Sequence, residues 1–248
     1  MSKRTRITIT AAMALALCAS LVAALTLAQA PGASAAVSPA RAASSASAAA
    51  ARSVAPRPPI VQKYIAFGAS RKAQMADYSQ RHYHQHTYLL TDPKAIVLHH
   101  TDGADWQSAW NTFNANTAYV FNGKSEKPGV SAQFIVDKDG TIYQLMPLDY
   151  RARHCIGMNW KSFGIEFVQE SAGHSGRWMD QQILNRPKQI DAGLRLVRYL
   201  QARFGIRTAD VVGHATANSS RYFKDYTGIR NAAGDWFAPE VAAFRSRL

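Results

Sequence analysis

Ala95-Ile96-Val97-Leu98-His99-His100-Thr101-Asp102-Gly103 places two adjacent histidines at the end of a short apolar run. Following Asp92-Pro93, the aliphatic residues predict a brief buried strand. Side chains on a strand alternate between its faces, so His99 and His100 point opposite ways. The pair is either a metal ligand displayed at a strand tip or a polar turn that closes the strand. Partners elsewhere in the chain must decide.

A second strand ends the same way. Val211-Val212-Gly213-His214 is apolar up to its histidine, and Asp225 stands in the loop-like stretch that follows. Open α/β architectures gather ligands at strand ends, so His99 and His214 can meet across a long separation in sequence. Two neutral imidazoles, one carboxylate and a fourth position left for water make a zinc site of the catalytic kind. Glu166 is the only charge in Phe163-Gly164-Ile165-Glu166-Phe167-Val168. Burial would raise its pKa toward neutrality, which suits a base that takes and returns a proton. The alternative is an edge-strand glutamate turned to solvent.

Around these strands the pattern is mixed. Residues 71–83 predict a short helix at the domain edge. Residues 105–121 predict a second, with Asp105 as N-cap. Residues 187–204 repeat Ile190, Leu194, Val197 and Leu200, with Pro187 in the first turn and Gly205 just past the end. Asp137-Lys138-Asp139-Gly140 between two β-rich runs predicts a hairpin. Residues 239–247 predict a terminal helix. A single α/β domain follows, with a central mixed β-sheet flanked by α-helices and a zinc site at one edge of the sheet.

That domain occupies residues 60–248. Residues 1–36 read as a secretory signal: Lys3, Arg4 and Arg6 precede an uncharged run and a small-residue exit at Ala33-Ser34-Ala35-Ala36; the alternative is an apolar run kept as a membrane anchor. Residues 37–59 are almost wholly Ala, Ser, Pro, Val and Arg, too poor in large apolar groups to offset the entropy of ordering them, and read as a disordered linker. The protein is expected to be exported, to the cell wall or periplasm or beyond, as a monomer with no membrane span once the signal is removed. Cys18 would leave with the signal, so Cys155 has no intramolecular disulfide partner. The formal charge of +13 favours an anionic partner such as an acidic wall polymer. No groove motif or aromatic-basic interleaving supports nucleic-acid binding.

His99-His100-Thr101-Asp102-Gly103, the hairpin 130–147, Arg151-Ala152-Arg153-His154-Cys155-Ile156-Gly157 followed by 163–167, and the stretch 211–225 occur in one order. In that order and spacing the chain resembles the zinc-dependent N-acetylmuramoyl-L-alanine amidases, whose fold is shared with peptidoglycan recognition proteins. The resemblance implies a zinc held by His99, His214 and Asp225, with Glu166 as catalytic base and His154 beside the scissile amide. Lys224 stands in for the family's oxyanion lysine, shifted by one position. The implied substrate is peptidoglycan or a muropeptide, cut between N-acetylmuramic acid and L-alanine; the alternative is a module of the same fold that binds muropeptide without cutting it. Where some relatives place a tyrosine before the hairpin strand, this chain has Ala132. His82, His84 and His86 would share one face of a strand, and the surrounding polar sequence points to an exposed cluster.

Overall fold

The computed structural model describes residues 55–121 and 124–248. The expected signal and all but the last residues of the expected linker lie outside them. Among the described residues no helix is long and apolar enough to cross a membrane.

A six-stranded sheet runs in the order β1 (Val61–Gln62), β6 (Ile142–Gln144), β5 (Phe134–Val136), β7 (Ser162–Phe167), β2 (Ala95–His100) and β8 (Val211–Gly213). Strands β5, β7, β2 and β8 are parallel; β6 joins β5 as the antiparallel half of the expected hairpin, and β1 runs parallel to β6. Gly140 closes that hairpin at φ +89°, a left-handed conformation that a Cβ would penalise. The mixed α/β architecture agrees with the sequence reading.

Alternation along β2 and β7 divides the core. Ile96, Leu98, Phe163, Ile165 and Phe167 belong to the larger cluster, which is covered by α4 (Pro187–Phe204) through Ile190, Leu194 and Val197. Helix α4 begins at Pro187, whose fixed φ suits the first turn, and stops at Gly205 with φ +68°. Helices α3 (Gly176–Leu184) and α5 (Ala238–Arg245) complete this layer. On the opposite face Ala95 and Val97 pack with Cys155, Met158 and Val212, while α2 (Trp106–Ala115) covers Ile135 through Ala109 and Phe113.

One expectation needs correction, and one helix is added. The helix expected over 105–121 does start from Asp105, whose carboxylate accepts the Ser108 N–H at 2.8 Å, but it ends at Asn116 in the left-handed region. Tyr119–Phe121 instead forms β3, paired antiparallel with β4 (Lys124–Glu126), as its aromatic and β-branched residues favour. Helix α3 was not anticipated; Ser175 caps it by accepting the Trp178 N–H at 3.3 Å.

Leu196 lies fully buried on α4 within the large cluster. Leu196→Ala is expected to cost about 2–5 kcal/mol by cavity formation, read by denaturant unfolding. A loss below about 1 kcal/mol would mean that α4 is not seated as described.

Candidate active site

Register places the chemistry. In the parallel pair β2–β7, His99 stands opposite Glu166; in β2–β8, Leu98 stands opposite Gly213, so His214 follows at the level of His99. In-register parallel strands present residues of one level to one face. Glu166, His99 and His214 therefore emerge side by side at the carboxyl ends of three adjacent strands, where open parallel sheets leave room for ligands. His100 points to the other face, 3.8 Å from Asp180, as alternation requires.

The third candidate donor is Asp235. His99, His214 and Asp235 each offer one ligand atom, all within 4.8 Å of one another. The His99 and His214 Nδ1 atoms lie 3.1 Å apart and 3.3 and 3.1 Å from the two Asp235 oxygens. Two imidazole nitrogens and a carboxylate oxygen in a tight cluster are a donor set that zinc accepts. The cleft over them has a volume of about 340 Å3 and includes Ser131, Arg153, His154 and Glu166 in its walls.

Asp225, the acid expected here, is placed elsewhere. Its Oδ2 lies 2.6 Å from His82 Nδ1, and His82 Nε2 reaches both Glu126 oxygens at 3.2 Å. After His214 the chain makes a 3-10 turn, crosses to His82 of α1 (Ala69–Tyr83), and returns to the cleft only at Gly234-Asp235. Backbone contacts fix that return. Ala215 N–H donates to the Asp235 carbonyl at 2.8 Å. Phe237 N–H donates to the buried Asp180 at 3.2 Å. A Cβ on Gly213 would fall 1.8 Å from the Trp236 carbonyl oxygen, so only glycine permits this approach. Choosing the nearest acid after His214 misses Asp235.

The other expected residues divide. Glu166 is buried at the cleft wall, with no ion pair among the described residues. Burial, reinforced by the nearby Asp235 and opposed by His214, pushes its carboxyl up to about 8. His154 lines the cleft, but both ring nitrogens are engaged: Nδ1 is 3.0 Å from His99 Nε2 and Nε2 is 3.3 Å from Ser162 Oγ. Gly164 makes space for that ring, since a Cβ there would meet it at 2.6 Å. Lys224 is not among the residues lining the cleft; its ammonium lies over the Trp160 and Tyr226 rings at 5.4 and 4.7 Å. The histidine trio does not converge, because it spans a helix end rather than a strand. His82 is buried, His84 stacks on Tyr226 at 3.8 Å, and His86 pairs with Asp77.

Charge in the cluster is polarised. Burial, then His214, lowers His99 to about 4, which keeps its imidazole neutral. Burial works against the Asp235 carboxylate, yet the adjoining His214 ring and then the His99 ring outweigh this and hold it ionised. A larger cavity of about 630 Å3 shares Arg153 and is bounded by α1 and Glu126, but among the described residues it contains no comparable donor set. The donor cluster belongs to the smaller cleft.

The sequence profile of a family described as N-acetylmuramoyl-L-alanine amidase matches residues 89–225, more than half of the chain, and stops before Asp235. No curated protein matches. Among solved structures, an endolysin N-acetylmuramoyl-L-alanine amidase, LysCS from Clostridium intestinale URNW, is 20% identical and aligns over 67% of this chain and 87% of its own, with a TM-score of 0.40. A mutant endolysin from Bacillus subtilis is 24% identical over 64% and 85%, with a TM-score of 0.40. Bumblebee PGRP-SA is 18% identical over 66% and 87%, with a TM-score of 0.41. Likenesses at this level carry no argument about chemistry.

The cluster around Asp225 has its own consequence. Burial opposes ionisation of Asp225 and Glu126, but hydrogen bonds, first from His82, hold both below their ordinary values, Glu126 at about 2. Burial likewise opposes His82, and the two carboxylates outweigh it to raise its pKa. The carboxylates' contribution to stability is full above about pH 4.5 and fades as pH falls toward 2; that of His82 is full below about pH 6.5 and fades as pH rises through its raised folded value. Asp225→Ala should therefore cost most between those limits, about 3–5 kcal/mol for a broken buried pair. Denaturant unfolding across pH reads this, and a penalty that does not vary with pH would contradict the assignment.

Proposed function

The chain belongs to the N-acetylmuramoyl-L-alanine amidase family, and from that premise we propose that it is an exported peptidoglycan hydrolase. It would cleave the amide between the lactyl group of N-acetylmuramic acid and L-alanine, with zinc held by His99, His214 and Asp235. The observation that carries this reading is the convergence of those three donors beside Glu166 at the ends of β2, β8 and β7. When bound, zinc supplies a Lewis acid that polarises a carbonyl and lowers the pKa of water.

The chain's own residues supply the rest. Glu166 faces the cleft with a carboxyl that burial raises to about 8; a bound divalent cation would draw it back toward neutrality, where enough of it is ionised to act as a general base. It takes a proton from the attacking water as the new C–O bond forms at the lactyl carbonyl. It returns that proton to the L-alanine nitrogen as the C–N bond breaks, leaving a muramyl carboxylic acid and a free amine, which become carboxylate and ammonium when the acid's proton passes to the amine. Asp235 remains ionised and balances the charge of a divalent cation, while His99 stays neutral and available as a ligand. Lys224, stacked on aromatic rings outside the cleft lining, has no part in this scheme. Export rests on the basic, apolar and small-residue succession of residues 1–36, and the positive charge of the chain suits an acidic wall polymer.

Digestion of purified sacculi is expected to release peptides that begin with L-alanine, read by mass spectrometry and abolished by a chelator. Binding to sacculi without any released peptide would overturn the hydrolase reading in favour of a binding module. Glu166→Gln should keep zinc yet lose on the order of a hundredfold or more in rate; turnover within a fewfold of wild type would remove Glu166 from the base role.

A further inference from the structure

Imidazole has two nitrogens, and in the neutral ring only the one without a proton can bind a cation. In both proposed ligands the atom turned toward Asp235 is Nδ1. Something must place the remaining proton on Nε2, and two hydrogen-bond chains do so.

The first chain starts at a backbone carbonyl, which can only accept. Ser162 Oγ lies 2.8 Å from the Met158 carbonyl oxygen, so the single hydroxyl proton is directed there. At 3.3 Å, His154 Nε2 must then donate to Ser162 Oγ. No carboxylate pairs with the His154 ring among the described residues, so the proton given to Ser162 at Nε2 is its only one and its Nδ1 accepts. Its partner, 3.0 Å away, is His99 Nε2, which must donate. A proton on Nε2 leaves the His99 Nδ1 lone pair bare beside the Asp235 carboxylate at 3.3 Å. Two lone-pair atoms facing one point repel until a proton or cation lies between them.

The second chain ends two residues from the first. Asn231 Nδ2 donates to the Ile156 carbonyl at 2.8 Å and to Asn218 Oδ1 at 3.1 Å, which fixes the orientation of its amide. Asn218 is held in turn, accepting the Asn231 N–H at 3.0 Å and donating to the Asn231 carbonyl at 2.8 Å. Asn231 Oδ1 therefore faces His214 Nε2 at 3.3 Å as an acceptor, and His214 carries a proton there. Its Nδ1 is left for the cation.

The geometry points to a tautomer lock: Ser162 and His154 for His99, and Asn231 for His214, are positioning residues that set both imidazoles with Nδ1 toward the cation site, anchored on the carbonyls of Met158 and Ile156. This rests on the proposed metal site but not on the reaction, and it moves His154 from the substrate to the support of a ligand. Partners that orient metal-bound histidines typically change metal affinity 10–100-fold when removed.

Nitrogen-15 histidine spectra of the metal-free full chain, with zinc titrations of variants, test the lock. The wild-type His99 ring is expected to be protonated at Nε2 and bare at Nδ1. Ser162→Ala and His154→Leu are each expected to weaken zinc binding tenfold or more. His154→Asn, whose Oδ1 can stand where Nδ1 stood, should recover most of that loss, which a merely packing role would not allow. A His99 ring protonated at Nδ1 in the wild type, or equal zinc affinities for His154→Asn and His154→Leu, would overturn the lock. Absence of peptide release from sacculi with these spectra as expected would instead count against the hydrolase reading alone.

Discussion

Parallel pairing of β7, β2 and β8 is the constraint on which the site depends. Because Glu166 pairs with His99, and Gly213 pairs with Leu98, three polar groups far apart in sequence reach one level of one face. A slip of one residue in either pairing would turn a group to the opposite face. The register is held by burial on both sides of the sheet, with Ile96 and Leu98 in one cluster and Ala95 and Val97 in another. The same apolar core that stabilises the fold thus aligns the donors.

The carboxylate is positioned differently. Asp235 belongs to no strand, and its place depends on close packing between backbones. Gly213 admits the Trp236 carbonyl, Gly176 at the start of α3 admits the Gly234 carbonyl, and Asp180 accepts the Phe237 N–H. Such contacts tolerate little added volume. The segment between His214 and Asp235 meanwhile follows a separate path, with Asp225 pinned to His82 and Glu126.

These two modes of positioning explain what was legible in the sequence. The β2 and β7 strands, helix α4 and the hairpin were readable because apolar period and turn chemistry act locally: Val97 and Leu98, Ile190 and Leu194, Asp139 and Gly140 each declare their element. His99, His214 and Glu166 followed, since each is a polar residue at or near the end of an apolar run. Asp235 was not legible. Its position arises from contacts with Gly213, Gly176 and Asp180, which leave no periodic trace, and Asp225 offered the nearer acid. Helix α3 escaped for a related reason: its polar, serine- and glycine-led start resembles a loop until Ser175 is seen to cap it. The support of His154 by Ser162 required distances, because side-chain hydrogen bonds have no fixed spacing along the chain.

Anomalous diffraction at the zinc edge from crystals of the zinc-loaded protein tests the central claim most directly. One ion is predicted, bound by His99 Nδ1, His214 Nδ1 and an Asp235 oxygen at about 2.0–2.2 Å. An ion at Asp225, or a single site from which Asp235 is absent, would contradict the account.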